Sequence, residues 1–195
     1  MDKLNEITND MSVLVVMNEH AYDTKTPALL QQLHESRRNF CYVCLARPYS
    51  EIKERFQSSF IPTTQFHFID TLSSHYEKQE EQEDCTFLPD PIKLSVLSET
   101  IMQKMKEKRC SGVVFDTFSA LLSYKADFEL LHFINDLSMK TKDKNMSKIL
   151  FFERKIRPYY ENSERLANDL ALFLDRTIWL NGKETHQTHP VQDQR

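Results

Sequence analysis

Short apolar runs alternate along the chain with longer stretches in which apolar residues recur every three or four positions. SVLVVM (Ser12 to Met17) is a continuous, valine-rich run and predicts a buried strand. NFCYVCLARP, QFHFID ending at Asp70, GVVFD ending at Asp116, KILFFE ending at Glu153, and RTIWL repeat that pattern and predict five more strands. Between them the period lengthens. PALLQQLHESRR places Leu29, Leu30 and Leu33 on one helical face, with Pro27 in the first turn. YSEIKERFQSSF spaces Ile52 and Phe56 four apart, and a helix from about Ile92 to Lys108 carries Leu94, Leu97, Ile101 and Met105 as its stripe. DFELLHFINDLSMK and SERLANDLALFL read as two further amphipathic helices. Strands that are apolar throughout, each followed by a helix, predict a three-layer α/β domain around a mainly parallel sheet of about six strands covered on both faces. Ligands of such sheets bind beyond the carboxyl ends of the strands. That rule selects Asn18 and Glu19, Arg47, Asp70, Asp116 and Thr117, and Glu153 and Arg154 as crevice candidates.

Polar stretches mark the boundaries. Residues 1–11 read as an N-terminal extension, 12–181 as one domain, and 182–195, which lacks apolar content, as a disordered tail. TLSSHYEKQEEQED (71–84) is polar and acidic and predicts a surface loop. There is no internal repeat.

Composition narrows the function classes. With 195 residues, 40% of them hydrophobic and 28% charged, the chain suits one globular domain. A net charge of -4 argues against a dedicated nucleic-acid binder, so nucleic acid is an unlikely partner on charge grounds. No apolar run reaches the length of a membrane span and the first residues lack a signal-peptide segment, so a cytoplasmic location is expected. Cys41 and Cys44 form a C-x-x-C, but inside a strand residues three apart point to opposite faces and cannot share a metal. His20, His67 and His132 show no zinc-like spacing, and His186 with His189 in the tail suggest at most an adventitious site. Glycine changes the picture most: only Gly112 and Gly182 are present, where average usage would give about a dozen or more.

VVFDTFSALLSY (Val113 to Tyr124) resembles the Walker B strand and following segment of the KaiC-like branch of RecA-type ATPases. FIDTLS, FLDRTIWL (Phe173 to Leu180) and CTFLPDPIKLSVLSETI resemble other segments of that family in the same order, over about residues 12 to 181. The resemblance implies a RecA-like, P-loop NTPase-like fold, an ATP–Mg²⁺ site, and assembly with copies of itself or with an active relative. An active member needs G-x-x-x-x-G-K-[ST] after its first strand, so that consecutive backbone N–H groups wrap the phosphates. Here that segment is EHAYDTKT (Glu19 to Thr26): Lys25 and Thr26 stand at the lysine and hydroxyl positions, Glu19 and Thr24 where the glycines should be. The family's acidic pair after the second strand, which activates water, is replaced by Leu45, Ala46, Arg47 and Pro48, and neither Ala nor Arg serves as a base at neutral pH.

Two readings follow from the resemblance. In the first, the chain is a pseudo-ATPase without cofactor, a protein-interaction or signalling module whose partner is another protein, a second copy or an active relative. In the second, it is an atypical nucleotide-binding ATPase with a divergent loop, in which Lys25 and Thr26 touch phosphate and Asp116 and Thr117 face Mg²⁺. For Asp116 the plainer alternative is a strand-end carboxylate that binds local donors. Glu153, Arg154, Lys155 and Arg157 read either as a solvated strand end or as an anion or partner surface. The acidic loop opposes a basic helix end, Lys104 to Arg109, as surface pairs or as docking patches.

Overall fold

The computed structural model describes residues 12–75, 82–89, 92–141, 146–154, 160–181 and 184–188. The N-terminal extension and most of the acidic run after His75 lie outside them. β1 (Ser12–Met17), β2 (Phe40–Cys44), β3 (Phe66–Asp70), β4 (Cys85–Phe87), β5 (Gly112–Asp116), β6 (Ser147–Glu153), β7 (Arg176–Asn181) and β8 (Glu184–Thr188) form one sheet in the order β4-β3-β2-β5-β6-β1-β7-β8. The first seven run parallel, and β8 returns antiparallel along β7.

The six expected strands are all present, and two more join them. β4 comes from CTFLPDP, which the sequence pattern treats only as the lead into a helix; three residues are too few to show a period. Of the tail expected to be disordered, 182–195, residues 184–188 form β8, and the others lie outside the described residues. Glu184–Thr188 has no apolar residue to announce it, and its pairing with β7 is made by backbone groups.

α1 (Glu19–Glu35) and α2 (Tyr49–Ser58) cover one face of the sheet; α3 (Leu94–Glu107), α4 (Asp127–Thr141) and α5 (Tyr160–Ala171) cover the other. Burial on both faces explains the continuous apolar runs: every residue of β1, β2, β3 and β5 is buried. Cys41 packs on the α3 side and Cys44 on the α1 side, as the strand period requires, and all four cysteines are free and buried. Under α2 the packing is aromatic. Phe56 meets Phe66 and Phe68 edge-on at centroid distances of 5.0 and 5.5 Å, and Tyr42 meets Phe56 at 5.6 Å. Among the described residues no helix is long and apolar enough to cross a membrane.

Scarce glycine leaves marks. Gly112 opens β5 where a Cβ would lie 2.8 Å from the Phe40 ring and 2.9 Å from the Ser147 carbonyl oxygen, so no larger residue fits without displacing backbone. Three helices instead end without glycine: Arg37, Phe60 and Arg109 take left-handed φ values of 55°, 57° and 52° just past α1, α2 and α3. After α2 the Phe60 N–H donates to the Gln57 carbonyl and the Ile61 N–H to that of Phe56, which satisfies two helix-end carbonyls despite the steric cost.

The main departure from expectation concerns α1. The pattern places a loop over 19–26 and starts the helix at Pro27. The helix in fact starts at Glu19, directly after β1, and continues through Pro27. Asn18 caps it, its Oδ1 accepting from the Ala21 N–H at 2.8 Å, and Glu19 puts a negative charge on the first turn, where the helix dipole favours it. Ala21, Tyr22, Thr26, Leu29, Leu30 and Leu33 are buried, so one stripe runs the length of the helix.

Candidate functional site at the strand ends

The carboxyl ends of β1, β2, β5 and β6 converge on Asp116. Its carboxylate is 1% exposed and lies at the end of the central strand β5. The Tyr22 hydroxyl donates to Oδ1 in a short hydrogen bond, the Thr117 hydroxyl donates to the same oxygen at 2.9 Å, and the Tyr42 hydroxyl donates to Oδ2 at 2.7 Å. A carboxylate with three hydroxyl donors is well satisfied even without water. Burial, followed by the neighbouring Asp116 charge, pushes both phenols well above their ordinary pKa, so both stay protonated donors at neutral pH. The peptide between Asp116 and Thr117 is cis.

Over the Tyr22 ring lie two guanidinium groups, Arg47 at 4.5 Å and Arg55 at 5.0 Å from the centroid. Arg47 pairs with Glu51 at 3.1 Å and Arg55 with Asp23 at 2.6 Å. Burial opposes the Arg47 charge, but Tyr22, Asp116, Glu51 and Glu153 outweigh it and raise its pKa. One guanidinium nitrogen of Arg47, Nη1, is buried with no hydrogen-bond partner among the described residues.

The structure therefore brings Arg47 and Asp116 to Tyr22, with Thr117 bonded to Asp116 and the Glu153 charge acting on Arg47. Arg154 sits at the same end of β6; its N–H donates to the Met17 carbonyl at 2.8 Å and its guanidinium lies 5.8 Å from the Trp179 ring. Asn18 acts as the α1 cap and Glu19 is exposed. Lys25 and Thr26 are not part of the cluster. Lys25 is exposed on α1, and Thr26 is buried with its hydroxyl 3.9 Å from the Met17 sulfur. Neither hydrogen-bonds to Asp116.

Asp70, at the end of β3, organises its own loop. Oδ1 accepts from the N–H groups of Leu72 (2.7 Å) and Ser73 (3.0 Å), while Oδ2 accepts from the Tyr49 N–H (2.7 Å) and the Ser73 hydroxyl (2.6 Å). This is a strand-end turn held by a buried carboxylate, with α2 docked on it.

Sequence reasoning missed Tyr22 and Tyr42. The available signal was a tyrosine inside each of two apolar stripes, because a buried phenol needs an acceptor and the nearby strand ends supply one. Among the described residues no group of three His, Cys, Asp or Glu side chains gathers as a metal site would require.

No family model and no curated protein matches the sequence. In fold the chain is similar to a KaiC-like protein of the hyperthermophilic archaeon Pyrococcus horikoshii OT3, with a TM-score of 0.62 and 12% identity over 94% of this chain and 81% of that one. The fold is RecA/KaiC-like.

Proposed function

We propose that the chain is a catalytically inactive RecA/KaiC-like pseudo-ATPase that serves as a protein-interaction or signalling module. The observation that carries this reading is the contact between Tyr22 and Asp116. In the family's active members the first strand is followed by a glycine-rich loop and the Walker B strand ends in a carboxylate facing metal-bound water. Here the segment after β1 is helical from Glu19 onward, capped by Asn18, and it delivers a phenol onto that carboxylate. Amides inside a helix already donate to carbonyls four residues back, so few remain to wrap a phosphate. Both Asp116 oxygens accept from buried hydroxyls, and a magnesium–water shell would have to displace them. The residues present thus do not fit ATP–Mg²⁺ in the family's manner, and Arg47 stands where the base would be.

The interaction half of the reading draws on the surface. Phe60, Phe128, Met139 and Leu172 are exposed, and association with a protein, whether a second copy or an active relative, would bury such area. Four free, buried thiols suit a reducing cytoplasm.

Melting curves with and without ATP and Mg²⁺ test the first half. They should superimpose, because a ligand that binds only the folded state raises the melting temperature. Magnesium-dependent, saturable turnover that is lost in Lys25→Ala would refute the proposal in favour of an atypical nucleotide-binding ATPase. Sedimentation of the purified chain over a range of concentrations tests self-association.

A further inference from the structure

The four cysteines are not equivalent. Cys44 and Cys85 pack on the α1 side of the sheet, Cys41 and Cys110 on the α3 side. Cys41 is the second residue of β2, in register with His67 on β3 and Val113 on β5. Cys110 reaches the same place by a tight return of the chain. Arg109 takes its left-handed φ just past α3, the Cys110 N–H donates back to the Met105 carbonyl at 2.9 Å, and the Ser111 N–H donates to the Asn39 carbonyl at 2.8 Å. The segment thus enters the sheet beside β2, and the Cys41 thiol donates a hydrogen bond to the Cys110 sulfur.

The two thiols differ in access. Cys41 is sealed in the core, whereas Cys110 is 6% exposed and lines a cavity of about 490 Å³ at the amino ends of β2 and β3. Asn39, Thr63, Thr64 and Gln65 put neutral polar groups on its wall. Gln65 Oε1 is buried with no hydrogen-bond partner among the described residues. Lys108 on one side, with Glu83 and Asp84 on the other, leaves no excess of cation. The cavity therefore suits a polar, uncharged ligand, and its volume lies in the range of pockets that hold small organic molecules.

The proton between the sulfurs belongs to Cys41. Its hydrogen bond lowers the Cys110 pKa, with burial opposing and Lys108 assisting, and the same bond, joined by burial, raises that of Cys41. Burial pushes Cys44 and Cys85 up as well. Thiolate character and access thus coincide at Cys110.

We propose that Cys110 is a modification site for small, uncharged polar disulfides, with Cys41 behind it as the resolving thiol. The Cys110 thiolate attacks one sulfur of the disulfide; that S–S bond breaks, a mixed disulfide forms on Cys110, and the departing thiolate takes a proton. Cys41 then gives up its proton and attacks the Cys110 sulfur, which expels the second thiol and leaves a Cys41–Cys110 linkage. Two protein thiols are oxidised and one external disulfide is reduced to two thiols. The site lies at the opposite end of the sheet from Asp116 and holds whether or not the chain turns over ATP.

2-Hydroxyethyl disulfide is the probe, and site-resolved mass spectrometry of the folded, fully reduced chain is the readout. Cys110 should take up the hydroxyethylthio group roughly tenfold or more faster than Cys44 and Cys85. The adduct should then give way to the Cys41–Cys110 linkage. In Cys41→Ser the adduct on Cys110 should persist, and in Cys110→Ser the Cys41 thiol should stay reduced. In denaturant the four thiols should react alike. Equal rates at the four thiols of the folded wild-type chain would overturn the proposal without recourse to any variant. So would a linkage that forms only in denaturant, or uptake at Cys41 in a folded Cys110→Ser variant as fast as uptake at Cys110 in the wild type.

Discussion

The ends of β3 and β5 carry the same residue and use it in opposite ways. Asp70 is satisfied by the chain around it: three of its four hydrogen bonds go to Leu72 and Ser73, two and three residues on. Asp116 has one neighbouring donor, Thr117; its other two arrive from Tyr22, 94 residues away, and Tyr42, 74 residues away. Both carboxylates are buried, at 0% and 1% exposure, so neither relies on water. The difference lies in what each holds together. Asp70 shapes a turn, whereas Asp116 ties the first helix and the second strand to the centre of the sheet. A strand-end position that the resemblance assigns to metal chemistry can thus be absorbed into the core once a side chain from the preceding crossover reaches it.

Removing the two carboxylates gives the widest separation. Asp116→Ala strands two buried phenols and should cost about 4 kcal/mol in denaturant unfolding, since each unsatisfied buried group costs roughly 1–3 kcal/mol. Asp70→Ala should cost about 2 kcal/mol, because the Leu72 and Ser73 donors sit near the surface and can turn to water. Equal losses would erase the distinction.

Single hydroxyl deletions come next. Tyr22→Phe and Tyr42→Phe should each cost about 1.5 kcal/mol, and the double variant should depart from their sum because both donors share one carboxylate. Strict additivity would mean that the two bonds are independent.

Alkali separates the two sites spectroscopically. Tyr49, which bonds Asp84 near the Asp70 loop, has its pKa raised to about 12 by burial, with the Lys53 hydrogen bond pulling the other way. Tyr22 and Tyr42 are raised further. A folded-state pKa above the unfolded value of 10.0 contributes stability that is complete below pH 10 and is lost as pH rises toward the folded value. Absorbance titration should therefore show two tyrosines ionising only as the protein unfolds. The Tyr22→Phe, Tyr42→Phe double variant should lose stability less steeply above pH 10. Ordinary titration of all seven tyrosines in the folded chain would contradict the buried network.

The smallest effects are local. Ser73→Ala removes one donor from Asp70 and should cost about 1 kcal/mol or less, with faster amide exchange confined to the turn. Spread of that exchange to α1 would show that the Asp70 site is not local.

Much of the fold was legible in the residues. The runs at Ser12–Met17, Phe40–Cys44 and Gly112–Asp116 announce buried parallel strands because both faces of the sheet are covered, and the stripe Leu97, Ile101, Met105 announces α3. β4 and β8 were not legible: three residues carry no period, and ETHQT contains no apolar residue to set one. The start of α1 was partly legible. Asn18 and the Tyr22, Thr26, Leu29, Leu33 spacing were there to read, but Pro27 suggested a first turn and the expected phosphate loop suggested a break. The candidate crevice was read as a set of strand ends, and Arg47, Asp116, Thr117 and Glu153 do come together, while Lys25 and Thr26 do not join them.

By itself the sequence determined the layer architecture, since periodicity and burial are local consequences of which residues are apolar. It also determined that glycine would be missing from the segment after β1. Only the tertiary structure decided what replaced the loop: a helix whose fourth residue spans 94 positions to reach a buried carboxylate. It likewise decided that His67 would share a corner with two lysines from α3. Such pairings depend on sheet order and on where an edge strand begins, and neither is written in the period of any single segment.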